Sequence, residues 1–503
     1  MATGTAQKRY ETLKPDRQPF LDRARECSKY TLPALLPPEG HTGSSSLEDT
    51  YQSFGSRGVN SLASKLLMAL MPPNQPFFRL GISEHELAKM NSSNERAQVE
   101  EALAKIERTV QHEVEHRSIR VSGYEAIRHL LVSGNVLLFV DPNGGVKLWH
   151  LDSFVAERDG KGSVLEMVTH DEVSAAALDE DVIEETGLDR TEDSVDVYTH
   201  IIRKPKQWYV YEEINGIKVT GTEAQYPLDK LPYIPLRWST IHGESYGRGY
   251  VEEYLGDLKS LEGLAKATVE GAAAASKVLF LVNSGGKTRV RTIAEAPNLA
   301  VRQGSADDVS VLRVEKANDF NFALQMMDAI QQRLAHSFLL TEVVQRDAER
   351  VTAHEIRTMA QQLEDALGGV YSVLSEEMQL PLVRVLLHQL QRSGRIQSLP
   401  DGTVTPKIVA GMEALGRGHD LNRLQQLVEA AAQMGEQALS EYINVGDYLT
   451  RVATSLGIDA SGLVRSEQEV QQMREQQAEQ EAMARAMEQG IAEDSAPQGQ
   501  PQQ

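Results

Sequence analysis

The strongest constraint on this chain is a change of hydrophobic period along it. Leu62, Leu66, Leu67 and Leu70 recur near helical spacing until Pro72 and Pro73 stop the run. Val99, Leu103, Ile106, Val110 and Val114 then draw one apolar stripe on a helix whose other face is charged. After that the pattern shifts. Residues 136–140 and 146–151 flank Asp141-Pro142-Asn143-Gly144-Gly145, turn chemistry that reverses a chain between two strands. Residues 208–212 and 217–220 flank Asn215-Gly216, a pair that takes the positive φ angles of a tight hairpin. The pattern predicts a small β-rich region inside a helical protein.

The rest of the chain reads as helix. Residues 251–276 form a long segment without proline that ends in Gly271-Ala272-Ala273-Ala274-Ala275-Ser276, where small side chains let neighbouring helices approach. Short strands are expected at 278–282 and 309–314, and Phe320, Leu324, Met327, Leu334 and Phe338 mark another helix. Thr352-Ala353-His354-Glu355 has the spacing of a capping box and opens a helix through Leu363, Leu367, Val370 and Leu374, with a kink or close contact at Gly368-Gly369. Two more amphipathic helices are expected over 421–456, and 466–503 has the Gln, Glu and Ala bias of a disordered tail.

Composition narrows function. The chain has 503 residues, room for about three structural units of typical size. Its 51 basic and 72 acidic residues give a net charge of −21, which argues against tight phosphate binding, so any contact with DNA is expected to be loose. The single cysteine, Cys27, forms no intrachain disulfide and suits a reducing compartment. No signal peptide and no membrane span are visible, since 129–140 is too short and interrupted to cross a bilayer. The acid-rich stretch 171–193 reads as a solvated face or mobile loop, lacking the spacing and glycine of a calcium site.

Two segments suggest catalysis. His112-Glu113-Val114-Glu115-His116 matches H-E-x-x-H, the zinc-protease pattern, yet the stripe through Val110 and Val114 points both histidines away from the core, and no third ligand stands out. Asn283-Ser284-Gly285-Gly286-Lys287-Thr288 suggests a phosphate-binding loop, but Leu281 stands where the first glycine belongs, and residues 289–292 favour strand or loop over helix. No catalytic residue, metal site or cofactor is assigned.

The most informative residues are Arg237-Trp238-Ser239, then Gly243-Glu244-Ser245-Tyr246-Gly247-Arg248-Gly249, then residues 252–262. With residues 29–33, 58–66, 132–138 and 350–357, they occur in an order that resembles the portal, or head-to-tail connector, proteins of short-tailed, podovirus-type phages. The resemblance implies a mainly α fold with α+β parts and a ring of about twelve subunits around a DNA channel at one capsid vertex. It implies a wing at 1–245 and 352–406, stem helices at 246–276 and 318–340, and a clip at 277–317. A tunnel loop falls at 341–351, a crown at 407–465 and the tail at 466–503. Implied partners are double-stranded DNA in transit, the ATP-driven terminase, the major capsid protein, scaffold, a tail adaptor and internal core proteins. The implied place is the virion, after assembly in the bacterial cytoplasm. On this scheme Glu252, Glu253 and Asp257 are candidates to line the channel, where acid repels the moving polymer, and Glu342, Arg346, Asp347 and Arg350 to grip or gate it. The rival readings are a helical scaffold oligomer and the zinc protease.

Overall fold

The structure, a computed structural model, describes residues 5–73, 77–82, 93–189, 193–275, 279–312, 317–340, 373–397 and 404–408, with isolated positions between 363 and 476. The chain divides into two compact units, Met1–Gly411 and Met412–Gln503. In the second, residues 426–431 are helical and most others lie outside the described residues, as do most of the two helices expected there.

Helix α1 (Ala6–Lys29) starts on Thr5, whose hydroxyl accepts the Lys8 amide, and its first two amides donate to the Glu213 carboxylate at 2.7 and 3.0 Å. A carboxylate satisfies orphan N–H groups and complements the positive end of the helix dipole. Helix α2 (Phe54–Leu70) ends just before Pro72, as expected. Strand β1 (Phe78–Ile82) precedes α3 (Ser93–His116) and α4 (Ile119–Ser133), which Gly134 ends at φ +73°.

The first expected hairpin is present. Strands β2 (Asn135–Val140) and β3 (Val146–His150) pair Val140 with Val146. The β-rich region is larger than the two hairpins visible in the sequence. Strands β4 (Phe154–Arg158), β5 (Val164–Val173), β6 (Val195–Arg203), β7 (Gln207–Ile214), β8 (Ile217–Lys218) and β9 (Ala224–Pro227) make one antiparallel six-stranded sheet. Its inner strands bury polar residues in a network of their own: Glu166 accepts from Arg9 at 2.7 Å and bonds His200 at 2.5 Å. Those residues dilute the alternation that marks a strand. The second hairpin turns at Asn215 and Gly216, both with positive φ. The acidic stretch is not a plain loop: its first residues extend β5, and α5 (Glu180–Thr186) follows, with exposed carboxylates and an end at Gly187.

Strand β10 (Tyr233–Arg237) adds to β2. Then come α6 (Tyr250–Ala275), β11 (Leu279–Val282), α7 (Val290–Ala294), β12 (Val309–Leu312) and α8 (Ala317–Ser337), the expected helix, α/β insert, helix order. A π-turn at Ser375–Gln379 leads into α9 (Leu380–Arg392), where Pro381 lacks the amide a regular ladder needs. Residues 352–355 and Gly368-Gly369 lie outside the described residues. Strand β13 (Val404–Ile408) pairs antiparallel with β1. One core joins α2, α4, α6, α8 and α9 through fully buried Leu62, Leu66, Ile127, Leu130, Val251, Leu258, Leu334, Phe338 and Leu386. The result is a mixed fold of helices and antiparallel sheets.

Candidate functional site

Two of the sequence segments that looked informative separately are one structural element. Residues 132–135 and 237–249 meet backbone to backbone, with the Trp238 amide donating to the Gly134 carbonyl at 3.0 Å. The Asn135 side chain donates to the Gly247 carbonyl at 2.8 Å and accepts its amide at 2.7 Å, so an amide side chain replaces a strand neighbour. Nothing larger than glycine fits there. A Cβ on Gly134 would lie 2.3 Å from the Arg248 carbonyl carbon, and one on Gly249 would lie 2.5 Å from the Val132 oxygen. Tyr246 is buried beside this crossing and accepts the Ala156 amide at 2.9 Å; burial pushes its hydroxyl up to about 12. The junction leads directly into α6, which starts at Tyr250.

Helices α6 and α8 run antiparallel, because the start of α6 meets the end of α8 and its end meets the start of α8. At the first contact the Tyr250 hydroxyl donates to the Ser337 carbonyl at 2.8 Å, and Tyr250 meets Phe338 edge to face at 5.9 Å. One to two turns further on, Arg333 forms a forked pair with Asp257 at 2.7 and 3.3 Å. At the far contact a Cβ on Gly271 would lie 2.7 Å from the Phe320 ring, so this glycine lets the helices close. The small-residue run at the end of α6 thus serves the chain's own helix pair at Gly271, while Ala272, Ala273 and Ala274 remain exposed.

The three acidic candidates do not share one environment. Glu252 is half-buried and accepts Arg248 at 2.8 Å, with Arg23 at 3.5 Å. Asp257 is held by Arg333. Glu253 is exposed and makes no ion pair among the described residues. It heads a face that sequence reading passed over: Glu253, Gly256, Ser260, Gly263, Ala267, Glu270 and Ala274 are exposed at steps of three or four. Side chains would have open space at Gly256 and Gly263. Glu342, Arg346, Asp347 and Arg350 lie outside the described residues.

Neither catalytic reading finds its geometry. His112 and His116 are exposed, but Glu113, which would have to activate water, is buried against Arg117 at 2.5 Å and Arg395 at 2.7 Å. Burial pushes its carboxyl up, yet the two guanidinium groups prevail and hold it below the usual range. At Gly286 a short helix, α7, follows the turn where strand or loop was expected. The loop still cannot cradle phosphate. The Thr288 amide and hydroxyl both donate to Asp308 at 3.0 Å, and a Cβ on Gly286 would lie 2.4 Å from that carboxylate. A negative group occupies the space an anion would need.

The family model for the bacteriophage head to tail connecting protein matches residues 3–464. This chain belongs to that connector family. The connector is 43% identical to the portal protein of Escherichia phage T7 over 484 residues, 94% of this chain and 90% of that one. It is 30% identical to the portal protein of Enterobacteria phage SP6 over 475 residues, 92% of this chain and 90% of the relative. Among solved structures, a neck of an empty gene transfer agent particle aligns over 86% of this connector and 94% of its own chain, at 11% identity and a TM-score of 0.39.

Proposed function

We propose that this connector is the portal protein of a short-tailed phage: a ring-shaped conduit at one capsid vertex through which the genome is packaged, retained and ejected. The observation that carries the reading is the family match over 3–464 together with the identity to two portal proteins along nearly their whole length. The family is one of structural connectors, which supports a chain without catalytic chemistry whose packaging energy comes from a separate terminase. The purified chain should then show no ATPase activity.

The paired helices α6 and α8 are the stem, β11, α7 and β12 the clip, and most of the remaining unit the wing, with a tunnel loop at 341–351 and a crown at 407–465. A ring of about twelve copies would bury the face headed by Glu253, or turn it to the channel. Because Glu252 and Asp257 are neutralised within the chain, Glu253 and Glu270 are the acidic side chains best supported to meet DNA. Their charge would keep contacts loose and non-specific. Terminase and then a tail adaptor would dock at the clip, and capsid, scaffold and internal core proteins would contact the rest. No described helix is long and apolar enough to cross a membrane.

Negative-stain microscopy of the purified full chain tests the reading. Annular particles with a central hole are expected; monomers under every assembly condition would sink it. Deleting Val344 to Ala348 should leave rings intact but let packaged DNA leak.

A further inference from the structure

The end of α8 has the wrong residue for its backbone. The Leu340 amide donates to the Ala335 carbonyl and the Leu339 amide to the His336 carbonyl, the paired bonds of a Schellman ending, which places Leu339 in the left-handed region at φ +52°. The helix ends at Gly134, Gly187 and Gly394 take the same left-handed backbone with glycine, which has no Cβ to clash. A leucine keeps that conformation only where its surroundings hold it.

Three groups from outside α8 do so. Lys65 on α2 is 9% exposed and donates its ammonium to the Leu339 carbonyl. No carboxylate pairs with it among the described residues, and burial lowers its pKa. Its charge is therefore met by the negative end of the α8 dipole. Tyr250 donates to the Ser337 carbonyl, and Phe338 sits so close over Gly58 that a Cβ there would lie 2.7 Å from its ring. Without these contacts nothing in residues 338–340 forbids another helical turn.

We propose that Lys65 is a positioning residue that latches the second stem helix to its end at Leu339, and that DNA retention depends on that fixed end. The second half rests on the stem assignment; the first does not. Hydrogen exchange on assembled full-length rings reads the latch. Lys65→Met should speed exchange of the Phe338, Leu339 and Leu340 amides about tenfold, with the α6 amides near Leu258 unchanged. Lys65→Arg should preserve protection. Leu339→Gly, which takes the left-handed backbone freely, should restore protection in the Lys65→Met background, whereas Leu339→Val should loosen the turn by itself.

Unchanged exchange in Lys65→Met, or failure of Leu339→Gly to rescue it, would overturn the latch, because a lysine that merely filled space would not be replaced by a change that only relieves the left-handed backbone at 339. Particles carrying Lys65→Met should lose packaged DNA on mild warming several-fold faster than wild type, and those with the added Leu339→Gly should not. A loosened turn with normal retention would overturn the link between the fixed end and DNA while leaving the latch standing.

Discussion

Around Gly134, backbone lies on backbone, Asn135 fills both hydrogen-bonding roles of a missing strand, and the neighbouring Trp238 and Tyr246 are each 2% exposed. At the far end of the α6–α8 pair the same chain leaves Val269, Phe322, Leu324 and Met326 exposed, and in the insert between the two helices Phe280 and Leu281 are exposed and Leu299 and Val301 are 96% and 98% exposed. The first region finishes its packing within one subunit. The second leaves large apolar side chains in water, as a surface that meets other molecules does. Changes at the junction should therefore strike folding, and changes at the far end of the α6–α8 pair and in its insert should strike assembly.

The largest effect is expected where backbones touch. Gly249→Val should cost roughly 4 kcal/mol or more, because the carbonyl of Val132 cannot retreat, and soluble yield or thermal unfolding will show it. Acid probes the same body. His129 is held down to about 3 by burial first, then by His150 and Arg128, and its Nδ1 has no hydrogen-bond partner among the described residues. Between that value and the ordinary histidine value near 6.5 the unfolded chain binds a proton that the folded chain refuses, so stability falls as pH drops through this window and levels off below it. By pH 4 the loss should reach about 3 kcal/mol. His129→Leu should flatten the slope between pH 6 and 4 by about one proton in urea titrations; an unchanged slope would remove His129 as its source.

Along the α6–α8 pair the stakes shrink. Asp257→Asn should cost no more than about 1 kcal/mol, because Arg333 is largely exposed and water screens the pair. Phe322→Ser and Val301→Ser should change subunit stability by less than about 0.5 kcal/mol while lowering the assembled fraction several-fold in sedimentation. A stability loss there as large as at Gly249 would erase the distinction between the two regions.

What was legible in the sequence follows the range of the forces involved. The turn at Asn215-Gly216 could be read because two adjacent residues alone decide it, and both do adopt positive φ. The helix, insert, helix order of α6 to α8 was visible from periodicity and small residues. The six-stranded sheet was not, because Glu166 and His200 bury their polarity in a network whose third member, Arg9, comes from α1. The solvated acidic face of 171–193 was legible from its charge, but that α5 is a helix was not, since seven residues show no period. No local signal marks the tie between α6 and the Gly134 turn, or the end of α8, where leucine stands in a position that favours glycine.

The pairing of β1 with β13 has a consequence for how the chain is made. At about 5–20 residues per second, β1 leaves the ribosome some tens of seconds before its partner exists. For that interval its edge amides and carbonyls face water, open to any other extended chain. The two-stranded sheet is thus a late closure, completed only when synthesis has passed Ile408. A ribosome that stalls earlier would release a chain whose exposed strand edge identifies it as unfinished.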